Sequence, residues 1–118
     1  MSIVAAHADA FYREVAKFDV VWSIKDPNGF PAPIATGGNR AMPFWSSESR
    51  ALAVIQGVPA YSGFVPVPIE WRVFCERWIP GLTQDSLLVG INWSGASASG
   101  FDIPPSDVQH NVEGARGT

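Results

Sequence analysis

The sequence predicts an α+β domain: an antiparallel sheet of about four to five strands with three helices packed mainly on one face. Three observations carry this prediction. The spacing of apolar residues switches between a helical period and strict alternation several times along the chain. Strand-like runs are short and bounded by Pro, Gly, Asn and Ser. The chain of 118 residues is 47% apolar and only 16% charged, enough to build one core without disulfides or structural metals.

The elements follow in order. Ser2 caps a first helix whose apolar positions Ala8, Phe11, Tyr12, Val15 and Phe18 recur at helical spacing, with Asp9, Arg13, Glu14 and Lys17 on the wet side. In "DVVWSIKD" the period becomes two, which is a strand, and Asp26-Pro27-Asn28-Gly29 has turn chemistry. Phe30, Ala32 and Ile34 alternate beyond the turn, so residues 19–35 are expected to form a hairpin. Pro31 and Pro33 then require an unpaired edge, because prolines two apart leave the same side of a strand without N–H donors. A polyproline-like connector is the competing reading. The same spacing recurs at Pro66 and Pro68.

"ATGGNRA" is a loop and "MPFW" a short apolar segment. "SSESRALAVIQG" is a helix started by Ser46 or Ser47, favoured by Glu48 in its first turn and stopped at Gly57. After a strand over 64–69, "EWRVFCERW" is a helix ended by Pro80-Gly81. "SLLVGINW" is a central strand, and "SGASASG" a small-residue loop. Residues 1–105 are therefore assigned to a single domain, and 106–118 to a C-terminal helical turn and frayed tail.

Composition excludes several functions. The net charge is −3 and the eight basic residues are scattered, so no nucleic-acid partner is expected. No apolar run reaches the length of a membrane span, and the first residues lack a signal-peptide pattern, so a cytoplasmic location is expected. The single cysteine, Cys75, rules out an internal disulfide. The two histidines, His7 and His110, lie near opposite ends of the chain, and the carboxylates Asp19, Asp26, Glu48, Glu70 and Asp85 show no pairing. No catalytic residues, metal ligands or cofactor are assigned on this basis. Gly37-Gly38 lacks the context of a phosphate loop.

The five tryptophans remain. Trp22, Trp78 and Trp93 are assigned to the core, while Trp45 and Trp71 stay open between core and surface. The leading expectation is a non-catalytic module that binds an unidentified protein partner, with Trp45, Tyr61 and Phe64 as aromatic anchors, in an adaptor or immunity-like role. The alternative is a small-molecule or carbohydrate-binding module using Trp45 and Trp71 with Asn39 and Arg40. A homodimer through a sheet edge is also open.

"VWSIKDPNGFPAP", "MPFWSS" and "WIPGLTQDSLLVGINW", in that order, resemble the bacterial DUF2750 family of small proteins of unknown function. The resemblance spans residues 8–105 and rests on the combination of these motifs. Where the family often shows Asp-Gly after the W-[IL]-P-G-L segment, this chain has Asp85-Ser86. The resemblance implies a domain and supplies no functional residue.

Overall fold

The computed structural model describes residues 2–117. Met1 and Thr118, the outer limits of the expected domain and tail, lie outside the described residues. Helix α1 (Ile3–Phe18) starts at Ser2, whose hydroxyl accepts the Ala5 N–H at 3.1 Å, and ends at Asp19, in the left-handed region at φ 56°. The reversal at Asp19 feeds directly into strand β1 (Val20–Lys25). The turn after β1 forms as its chemistry dictates, with Asp26 and Gly29 exchanging backbone hydrogen bonds and Gly29 at φ 112°.

The far arm of the expected hairpin does not form. Residues 30–33 lie in no strand, and β1 pairs instead with β3 (Val65–Glu70), antiparallel, from Val20 opposite Glu70 to Lys25 opposite Val65. Pro31 and Pro33 offer no N–H to a ladder, and β3, with the same Pro-x-Pro spacing, takes the place beside β1. The other proline pair does sit on an edge strand. Pro68 faces Trp22 across the pair, and Trp22 sends both its N–H and its C=O to Trp45 on its other side. At that position β1 needs nothing from β3, so proline is tolerated.

"MPFW" holds a strand, β2 (Ala41–Phe44). It pairs parallel with β4 (Leu88–Ser94), which pairs antiparallel with β5 (Ser99–Ile103). The two sheets, β1–β3 and β2–β4–β5, meet at an antiparallel bridge between Trp22 and Trp45. Five strands thus run in the order β3-β1-β2-β4-β5, mixed rather than wholly antiparallel. The parallel pair is allowed because the chain between β2 and β4 contains α2 (Glu48–Gly57), β3 and α3 (residues 71–84).

Ser47 caps α2 through its hydroxyl, which accepts the Arg50 N–H at 3.2 Å. Helix α3 does not stop at Pro80-Gly81. A π turn over Phe74–Trp78 intervenes after Trp71–Val73, and Pro80 falls in the first turn of Ile79–Gln84, where no N–H is needed. A fourth helix, α4 (Pro105–Arg116), stands in place of the expected helical turn and frayed tail. Its Val108 and Val112 are fully buried, so this segment belongs to the core.

Two apolar clusters flank the sheet. One joins Phe11 and Val15 of α1, Trp71 and Phe74 of α3 and Val108 of α4 to Val21, Phe44, Val89 and Ile91. The other joins Ala51 and Val54 of α2 to Ile24, Trp45, Tyr61 and Trp93. Three helices therefore cover one face and α2 the other. The second cluster needs Gly90: a Cβ there would lie 2.3 Å from the Trp93 ring, so only glycine lets the indole lie over the strand.

Candidate functional site

The aromatic residues singled out from the sequence do not make one surface. Trp45 has 0% exposure and donates its indole N–H to the Trp93 carbonyl at 2.8 Å. Trp71 is buried in the opposite cluster, stacked on Phe74 with ring centroids 5.6 Å apart. Tyr61 is buried and packs edge to face with the half-buried Phe64. Asn39 and Arg40 are exposed in the loop before β2, with the Arg40 guanidinium donating to the Ala32 carbonyl. Trp45 and Trp71 lie on opposite faces of the sheet and cannot sandwich one ligand with Asn39 and Arg40. The pattern of aromatics alone carries no sign of which are covered, and burial assigns both indoles to packing.

A different set of side chains converges. β4 bulges between Ile91 and Ser94, with Asn92 at φ 45°, and the irregularity turns the Asn92 amide off the ladder. This amide is only 3% exposed. Its Nδ2 donates to the His7 carbonyl and to Ser46 Oγ, each at 3.0 Å, and its Oδ1 accepts the Ser46 N–H at 3.0 Å. The Ser46 hydroxyl has one proton to give, and gives it to Glu14 Oε1 at 2.7 Å. Arg50 closes the chain with Nε to Glu14 Oε1 at 3.2 Å and Nη2 to Oε2 at 3.0 Å. Burial pushes the Glu14 carboxyl up, but the bonds from Arg50 and Ser46, with the charges of Arg50 and Arg13, outweigh it and leave the group below its ordinary value.

Beside this network Ser94 Oγ lies 3.2 Å from His7 Nδ1. His7, Arg50 and Ser94 form the polar rim of a cleft of about 340 Å³, whose apolar walls are Ala53, Val54, Trp93 and Ala96. α1 supplies His7, α2 supplies Arg50, and the end of β4 supplies Ser94. One signal for this site is present in the sequence: Asn92 is the sole polar side chain within "LLVGINW", and a buried amide must find partners. Its partners come from residues 7 and 46, with residues 14 and 50 one and two bonds further on, and no local pattern points to any of them.

The fold and cleft define a small α+β domain with a polar-rimmed, apolar-walled recess on the α2 face of a mixed sheet. The chain belongs to the DUF2750 family of proteins of unknown function, whose model matches residues 8–112. No curated protein gives a significant match. Among the described residues no helix is long and apolar enough to cross a membrane, and no group of three or more His, Cys, Asp or Glu is placed to hold a metal ion.

Proposed function

We propose that this chain is a non-catalytic binding module whose ligand is a small molecule with an apolar body and one hydrogen-bonding end, held in the cleft between α1, α2 and the turn after β4. The observation that carries this reading is the locked chain from Asn92 through Ser46 and Glu14 to Arg50 beside apolar walls. Polar groups already fixed by their neighbours bind without being ordered first. Small-ligand sites combine mostly apolar walls with a few placed polar groups, in volumes of about 300–1,000 Å³. The small-molecule reading thus moves from Trp45 and Trp71 to His7, Ser94 and Trp93. His7 and Ser94 are a base and a hydroxyl within reach, but among the described residues no side chain bonds the other imidazole nitrogen to orient it for acyl transfer.

The test is a fragment screen of small alcohols, amides and carboxylates read by amide chemical shifts, on wild type and Ala53→Leu. Ala53 is exposed on α2 and lines the cleft, so leucine fills the recess while keeping a good helix former. Fragments should shift Ser94, Gly95 and Ala96 in wild type and lose those shifts in the variant. Hits elsewhere, or shifts that persist in Ala53→Leu, would overturn the reading.

A protein partner is the second reading, favoured by the asymmetry of the sheet edges. β3 carries Pro66 and Pro68, whereas β5 ends the other side with no proline and with Phe101 43% exposed. A homodimer paired through β5 is the self-association form of this reading, and sedimentation of wild type against Phe101→Lys tests it. A bacterial, cytoplasmic setting accords with both readings.

A further inference from the structure

Trp93 separates the cleft already described from a second one of about 400 Å³, bounded by residues 33–36, the short helical turn Pro59–Tyr61 and the turn between β4 and β5. Asp102 of β5 lines this second cleft. One of its oxygens accepts the Trp93 indole N–H at 2.8 Å, and that is its one side-chain hydrogen bond among the described residues. An ionised carboxylate offers about four acceptor positions, so most of its capacity is left open by the described side chains. The lining contains no Lys, Arg or His, and among the described residues Asp102 makes no ion pair.

We infer that this second cleft is a binding site for a small organic cation, a primary ammonium on a compact apolar or partly hydroxylated body, with Asp102 as its counter-ion. The walls match such a ligand on both sides. Ile34, Ala35 and Val58 offer apolar contact, and Thr36, Ser97 and Ser99 offer hydroxyls. A half-buried charge with no counter-ion is a cost that the free protein carries. Burial pushes the Asp102 carboxyl up despite the Trp93 bond that lowers it, as expected for an under-compensated charge. An ammonium arriving at the free oxygen supplies the missing charge in a partly desolvated place. Trp93 holds the carboxylate in position, and the bare Gly90 leaves room for its ring.

The indole N–H of Trp93 gives a direct readout, because it is bonded to the proposed counter-ion. The experiment follows that resonance while titrating cyclohexylmethylammonium, with cyclohexylmethanol as the neutral match of the same shape, on wild type and Asp102→Asn. Asparagine keeps an acceptor for the indole, so the fold is retained. Ser97→Arg, at an exposed rim position, is a second variant that places a tethered cation at the mouth. The amine should shift the resonance saturably in wild type, at least tenfold more tightly than the alcohol. Asp102→Asn should abolish that tenfold preference, and Ser97→Arg should weaken amine binding. An alcohol that binds as well as the amine, a preference that survives in Asp102→Asn, or a resonance that moves with neither compound would overturn the inference. Because Trp93 also walls the cleft at His7 and Ser94, the titrations are repeated on Ala53→Leu, which fills that cleft, so that binding at the two places is told apart.

Discussion

Trp22 and Trp45 exchange two backbone hydrogen bonds, each 2.8 Å long, and this pair joins the two sheets into one surface. Trp45 also reaches across β2 to bond the Trp93 carbonyl of β4 through its indole. One residue therefore ties β1, β2 and β4 together, from the middle of "MPFWSS".

Truncating Trp45 to alanine should cost about 3–5 kcal/mol, from lost burial and the cavity left behind. Typical domains are stable by about 5–15 kcal/mol, so this variant should be largely unfolded at modest urea concentrations. Trp45→Phe keeps most of the ring but strands the Trp93 carbonyl, and should cost about 1–3 kcal/mol. Urea titration followed by far-UV circular dichroism checks both. An alanine variant with the midpoint of wild type would show that the indole is dispensable to the fold.

Glu14 should make stability depend on acid pH. Its folded-state value is held below the ordinary 4.5 by Arg50 and Ser46 in spite of burial, which acts the other way. A depressed carboxylate contributes stability that is fully present above its unfolded value and is lost as pH falls through the folded value. Glu14→Gln should therefore be less stable than wild type at pH 7, by about 1 kcal/mol for weakened bonds to a charged group. The gap should close below pH 4.5, as wild type takes up the proton. Thermal unfolding from pH 7 down to pH 3 measures it, and a gap independent of pH would contradict the assignment.

Ser86, where the resemblance leads to an expectation of glycine, adopts φ 57°. That conformation costs an L side chain about 1–2 kcal/mol, while glycine gives back about 0.4–1 kcal/mol by loosening the unfolded chain. Ser86→Gly should therefore be neutral to stabilising, by up to about 1.6 kcal/mol. A lower melting temperature would mean that the serine side chain makes up for its backbone.

Local chemistry decides which elements are legible in the sequence. Ser2, Ser47 and Gly57 mark helix ends through bonds within a few residues, and the Asp26–Gly29 turn is equally local. What the sequence hides is long-range. Pro31 and Pro66 sit in the same P-x-P pattern, yet only the second lies in a strand, because the partner of β1 is chosen by packing over some forty residues of chain. Likewise Ser46 is recognisable as part of a helix start, but its bonds to Asn92 and Glu14 depend on how α1, α2 and β4 meet. The burial of Trp45 and Trp71 belongs to the same class, since an aromatic beside a helix start looks alike whether covered or bare.

Cys75 should be a slow nucleophile. It lies in the π turn of α3, partly packed against the core, and burial followed by the negative charge of Glu113 pushes its thiol up to about 11 from an ordinary 9.0. Two pH units leave about 100-fold less thiolate at neutral pH, while the higher intrinsic reactivity of a more basic thiolate restores about tenfold of the loss. Alkylation by iodoacetamide at pH 7.5 should thus be about tenfold slower in the folded protein than in urea, before any shielding by neighbours is counted. Glu113→Gln removes one of the upward pushes and should speed the reaction in the folded state without changing it in urea. A folded rate equal to the unfolded one would place the thiol in free solvent, against its packing beside the core.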